Sequence, residues 1–169
     1  MNAGFTLIEL TVVVAIVGVL AVMALPAMRD LVVTNRMKSL SLDVYSSLTL
    51  TRSEAVKRNA GNVSMVAASG NWQNGWTVCV DANSNSACDA GEVVLIVGEA
   101  VHESMALTGP AGNIVTYGRD GRVTSGTASF RITAGSNNTR SPMRCIDVSA
   151  SGRPNTRADS NGTDSDGCN

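Results

Sequence analysis

The chain has 169 residues, a net charge of -1 and only 4% aromatic residues. That length allows one domain with a modest core. The near-neutral total excludes a partner chosen by bulk charge, and the thin aromatic content is poor material for a packed globular enzyme. Charge is unevenly placed. Residues 80–110 hold Asp81, Asp89, Glu92, Glu99 and Glu103 and no Lys or Arg, whereas residues 119–157 hold seven Arg against Asp120 and Asp147. An acidic middle and a basic late segment suggest two faces with different partners.

The chain order begins with Phe5 to Leu25, a run of 21 residues whose one charge is Glu9. At about 1.5 Å per residue this run is long enough for a hydrocarbon core of about 30 Å. A secretory h-region spans only about 7–15 residues and ends at a small-residue cleavage site, and this run does neither. A transmembrane helix fits, with Glu9 as the anomaly. A carboxylate at the centre of a membrane helix costs roughly 2.5–3.5 kcal/mol, less near an end. Glu9 is marked as a functional candidate because it has no expected partner in its own helix. A cut between Gly4 and Phe5 would create one, because the freed α-amine of Phe5 is a cation near the membrane plane. Glu9 could then pair with that amine on a neighbouring copy and set the axial register of an assembly. The plainer alternative is that Glu9 snorkels to the interface.

The stretch Gly4-Phe5-Thr6-Leu7-Ile8-Glu9, followed at once by the apolar run, resembles the type IV pilin and type II secretion pseudopilin family. The resemblance implies cleavage after Gly4 by a prepilin peptidase, N-methylation of Phe5, and subunit docking through Phe5 and Glu9. It also implies insertion in the inner membrane with the rest of the chain in the periplasm, and later incorporation in a filament. Gly18 and Pro26 match helix-loosening positions of the family, and Pro26 is predicted to kink or locally melt the helix. The leader Met1-Asn2-Ala3-Gly4 carries no Lys or Arg. Either the α-amine alone supplies the positive-inside signal, or the true start lies upstream.

Beyond Pro26 the helical pattern continues. Met37, Leu40, Val44, Leu48 and Ala55 form one apolar stripe, and Asn59-Ala60-Gly61-Asn62 supplies turn formers. One helix is predicted from about 5 to 58. From residue 62 the texture is β, with strands expected at 63–67, 76–80, 93–97, 114–117, 128–133 and 144–148. The expected fold is α+β: a long N-terminal helix, its first half transmembrane, packed on an antiparallel sheet. The expected organisation is a leader at 1–4, a transmembrane helix at 5–25, its amphipathic continuation at 26–59, a periplasmic β domain at 60–150 and a polar, loosely ordered tail at 151–169.

Arg52-Ser53-Glu54-Ala55-Val56-Lys57-Arg58-Asn59, then Gly75-Trp76 with Asp81 and Gly91-Glu92, then Ser151-Gly152-Arg153, resemble the GspH/FimT/FimU subgroup. The resemblance implies a minor pilin in a priming or tip complex, with other major and minor pilins as partners. The equivalent pseudopilin of a type II secretion system is an alternative. In the oxidising periplasm the four cysteines can pair in three ways. Cys79 with Cys88, and Cys145 with Cys168, is the expected local pairing. Close C-x₂₋₄-C pairs for zinc are absent.

Asp81, Asn83, Asn85, Asp89 and Glu92 occupy positions 1, 3, 5, 9 and 12 of a calcium loop, with Ser86 where the sharp turn wants Gly. Asn and Asp suit a plain turn as well, and the turn is the preferred reading. Calcium is the single cofactor that enters at all. The basic segment offers a DNA-binding alternative. Some FimT-type pilins bind DNA during transformation through a C-terminal Gly-Arg-x-Arg motif. Here the residues are Gly152-Arg153-Pro154-Asn155-Thr156-Arg157, so the second Arg falls two residues late. Arg140, Arg144, Arg153 and Arg157 are the candidates, with double-stranded DNA as partner. Catalysis has little support. His102 is the sole histidine, Ser149-Ala150-Ser151-Gly152 lacks the nucleophile elbow, and no small-molecule substrate is expected.

Overall fold

The computed structural model describes residues 6–59, 62–124, 126–135 and 142–159, with side chains throughout except at 23–27. Helix α1 runs from Leu7 to Arg58. It starts where Thr6, in an extended conformation, accepts the Glu9 N–H at 3.3 Å through its hydroxyl oxygen. It ends at Asn59, which takes a left-handed conformation (φ 49°) and donates its N–H to the Val56 carbonyl. Asn tolerates that backbone because its short polar side chain bonds locally. The local melting expected at Pro26 does not occur, and the backbone stays helical on both sides of it. Proline removes one donor from the ladder, which intact turns on either side can bridge.

The two halves of α1 meet different surroundings. Leu7, Ile8, Leu10, Val12, Val13, Val14 and the apolar residues up to Val22 are exposed. Met37, Leu40, Val44, Leu48 and Ala55 are buried, as their spacing predicts. Small hydroxyl residues share the buried face. Thr51 donates to the Ser47 carbonyl at 2.6 Å, and Ser47 donates to the Asp43 carbonyl at 2.8 Å. Internal partners of this kind let a polar group be buried without orphaning it.

Two four-stranded antiparallel sheets receive that face. The first has the order β3-β2-β1-β5, from Val93–Gly98, Trp76–Val80, Val63–Ala67 and Ile114–Tyr117. The second has the order β4-β6-β7-β8, from Met105–Thr108, Ala128–Ala134, Arg144–Val148 and Pro154–Ala158. Helix α1 contacts β1, β2 and β5 of the first and β6, β7 and β8 of the second. Val63, Met65, Val78, Val115, Phe130, Ile132, Ile146 and Val148 fill the space between.

Trp76 fixes one side of this core. Its Nε1 donates to Ser47 Oγ at 3.0 Å, tying β2 to the helix. Its ring lies against Gly98, the residue opposite it on β3, where a Cβ would collide with the indole. Trp72 meets Phe130 edge-on, with centroids 4.8 Å apart.

Strand β8 corrects the expectation of a loose tail from residue 151. Pro154 pairs with Val148 and Ala158 with Arg144. The strand is polar because it is an edge strand whose residues 155–158 are exposed, so hydropathy does not mark it. The ordered β body therefore reaches at least Asp159, beyond the expected boundary at 150.

Candidate functional site

The helix start carries the first candidate group. Glu9 Oε2 accepts the Thr6 backbone N–H at 2.9 Å and the Thr6 hydroxyl at 2.8 Å. With the reciprocal bond from Glu9 N to Thr6 this is a capping box. The expectation that Glu9 has no partner in its own helix is therefore corrected: the N-cap Thr6 supplies one. The Thr-x-x-Glu spacing that signals this box is present in the sequence. Gly4 and Phe5 lie outside the described residues.

A second meeting point lies at the far end of α1. The turn at 118–122 and the turn at 149–153 pack directly on each other. Gly121 and Gly152 are the contact, and a Cβ on Gly152 would run into the Gly121 carbonyl. Gly152 also has φ +78°, a backbone that L side chains rarely adopt. Arg52 of α1 donates to the Ser151 carbonyl at 3.3 Å. Residues from the two separated motifs, Arg52 and Ser151-Gly152, thus hold one junction. Tyr117 is buried beside it, and among the described residues its hydroxyl has no hydrogen-bond partner. Burial pushes the Tyr117 phenol up to about 12, and the nearby Arg52 works against that shift.

The loop from Asp81 to Glu92 is built as a turn. Cys79 and Cys88 form a disulfide across it. Buried Asp81 accepts the backbone N–H groups of Asn85 at 3.1 Å and Ser86 at 2.9 Å. Asp89 accepts from the amides of Asn83 at 3.0 Å and Asn85 at 2.6 Å, and these two bonds, Asn83 first, lower its carboxyl below the usual range. Glu92 accepts from Ala82 N at 2.8 Å and Asp89 N at 3.0 Å. The Asn83 and Asn85 carbonyl oxygens accept the N–H groups of Asn85 and Ala87. At least one side-chain oxygen of each of these five residues accepts an N–H group within the loop. Among the described residues no group of three His, Cys, Asp or Glu side chains is placed to hold a metal ion. Cys145 is disulfide-bonded, and its expected partner Cys168 lies outside the described residues.

The arginines divide differently from their order in the sequence. Arg157 stands opposite Cys145 on the outer face of the second sheet, and its Nε donates to Asp147 Oδ2 at 3.1 Å. Arg144 stands opposite Ile132 and so points to the other face. Arg153 is exposed in the turn at 149–153, and Arg140 lies outside the described residues. The Gly121–Gly152 contact instead places Arg153 beside the turn bearing exposed Arg119 and Arg122. Asp120 lies in the same turn as Arg119 and Arg122, and its Oδ1 accepts the Arg122 backbone N–H at 3.1 Å. The sequence gives no direct signal for this regrouping, which depends on two glycines touching across the fold. His102 is likewise occupied: the Arg36 guanidinium lies 3.1 Å from its Nε2, and Ser104 N donates to its Nδ1 at 3.1 Å.

A long helix with an apolar, exposed first half and a second half buried under two antiparallel sheets defines a pilin-type subunit. The chain belongs to the GspH family: the family described as Type II transport protein GspH matches residues 42–152. The prokaryotic N-terminal methylation motif matches residues 1–25. Similar solved structures include the type IV minor pilin FimU of Pseudomonas aeruginosa. It is 16% identical, with a TM-score of 0.58 over 76% of this chain and 96% of that one. The minor pseudopilin EpsH from the type 2 secretion system of Vibrio cholerae is 14% identical. Its TM-score is 0.53 over 73% of this chain and 97% of that one. At such identities the likeness is one of fold. The family and the methylation motif place the chain in the minor pilin and pseudopilin class, membrane-anchored subunits with a periplasmic domain that assemble with other pilins. Among the described residues no helix is long and apolar enough to cross a membrane. The span expected over 5–25 begins at Phe5 and ends at residues 23–25, whose side chains are outside that description.

Proposed function

We propose that this chain is a structural minor pilin, built into a type IV pilus as part of a priming or tip complex, and not an enzyme. The observation that carries this reading is the exposed apolar run from Leu7 to Val22, which no part of the described body covers. Such a surface needs lipid before assembly and other helices after it. Residues 5–25 span the inner membrane, and cleavage after Gly4 frees the Phe5 amine. Thr6 holds Glu9 by Oε2 alone, so Oε1 is available to the amine of a neighbouring subunit. The capping box then orients the carboxylate as well as closing the helix end. Glu9→Ala in the full chain is expected to abolish incorporation into sheared filaments while the β body stays folded, read by immunoblot and circular dichroism. Incorporation equal to the parent would remove the docking role.

The family description favours a type II secretion filament as the other host, since the same helix and signal serve both machines. Loss of pili or loss of protein secretion in a deletion strain separates the two. A third reading, contact with DNA, is supported by the exposed Arg119, Arg122 and Arg153 on adjoining turns. Guanidinium groups on turns suit phosphate contact without base reading.

A further inference from the structure

Strand β3 is an edge strand of the first sheet, and among the described residues nothing pairs with its outer side. Edge strands that remain unpaired are normally blunted by charge, proline or an inward-pointing lysine. β3 carries no charge or proline within Val93–Gly98, and its one irregularity is a register shift against β2. Val93 and Val94 are each 50% exposed, Ile96 37% and Val97 66%. The pairing with β2 places exposed side chains on both faces. Ile96 and Val93 stand opposite Val78 and Val80 on the helix side, while Val97 and Val94 stand opposite Thr77 and Cys79 on the other. A register shift between Val78 and Cys79 bulges the strand near Leu95, and the exposed valines persist on both sides of it. On the helix side Ile96 also borders a groove against α1 that Leu40, Trp76 and Met105 help to line.

Charge around this edge has one dominant sign. Glu92 precedes the strand, Glu99 follows it and lines the groove, and Asp43 lines the groove from α1. Arg36 and His102 also line the groove, and they are held against each other. An antiparallel pair of two β3 edges would bring Glu92 of one copy towards Glu99 of the other, so self-pairing is opposed by like charge. A strand with basic ends meets complementary charge instead.

We propose that the free edge of β3 accepts an extended apolar strand with basic flanks from a neighbouring subunit of different sequence. Main-chain hydrogen bonds would extend the first sheet to five strands, and side chains of the added strand would cover the valines on both faces. The proposal deepens the subunit reading above and rests on it for the neighbour. Its test reads the edge itself, whereas the Glu9 variant reads helix docking, so either can fail alone.

The test uses the full chain in detergent micelles and a short fluorescent peptide of alternating valine and threonine with lysine at both ends. Anisotropy should report saturable binding, and the same peptide with glutamate ends should bind at least roughly tenfold more weakly. Val94→Lys and Val97→Lys, each checked by circular dichroism, should each abolish binding. For the parent chain, bound peptide should slow amide exchange across Val93–Gly98 and leave Pro154–Ala158 unchanged, a reading that needs no variant. Absence of binding, equal binding of the glutamate peptide, or protection of β8 in place of β3 would overturn the proposal. So would a dimer in sedimentation that Val97→Lys dissociates, because it would assign the edge to a second copy.

Discussion

Tyr117 shows how a single buried group ties the junction at the end of α1 to pH. Its ring packs where Gly121 and Gly152 touch, and its hydroxyl is left without a hydrogen-bond partner among the described residues. An unpartnered buried hydroxyl costs stability, so it tolerates removal. Its phenol is raised from the ordinary 10.0 to about 12 by burial. Between those values the folded chain keeps a proton that the unfolded chain has lost. The stabilisation is therefore complete below about pH 10 and disappears as pH rises through 12. Tyr117→Phe is expected to keep the stability of the parent at neutral pH and to flatten its decline between pH 10 and 12, measured by urea unfolding across that range. An equally steep decline in the variant would place the alkaline sensitivity elsewhere.

At the scale of elements, the Asp81–Glu92 loop and strand β8 teach opposite lessons. The loop has the right residue types at calcium spacing, yet its oxygens face N–H groups and its ends are joined by Cys79–Cys88. Residue spacing alone does not say which way a carboxylate turns. Replacing both cysteines, as Cys79→Ser with Cys88→Ser, is expected to cost about 2–3 kcal/mol in urea unfolding. In the parent, calcium against chelator is expected to leave the melting temperature unmoved; a clear rise would restore the ligand reading. Strands β1, β2, β5 and β7 were legible to the residue because their β-branched and aromatic runs are bounded by Gly, Asn and Asp. β8 was hidden because an exposed edge strand needs no apolar face, and β4 because Met, Ala and Leu in Met105–Thr108 are neither β-branched nor aromatic. The helix was legible almost to its ends, while Glu9's partner was readable from Thr-x-x-Glu and its consequence was not drawn from spacing.

On the scale of the whole molecule, the acidic and basic segments do become separate regions. The acids gather around β3 and its preceding loop, whereas Arg119, Arg122 and Arg153 share adjoining turns by the far end of α1. If those turns touch DNA phosphates, full chain in micelles should retard duplex DNA at low salt. Arg119→Ala with Arg122→Ala and Arg153→Ala should then reduce the slope of log affinity against log salt by about 2–3. Arg157→Ala should leave the slope alone, because Asp147 already holds that guanidinium. Equal slopes for the parent and the triple variant would end the DNA reading. The continuity of α1 has a mechanical consequence as well. No loose linker separates its exposed apolar half from the stripe Met37–Ala55 that the body clamps. Tension on the body therefore passes straight into the helical backbone. Pro26 leaves that backbone one hydrogen bond short, so yielding should begin there, as a small extension step in single-molecule pulling that Pro26→Ala removes. A subunit of this design works as a clamped rod with a fuse between its anchor and its load.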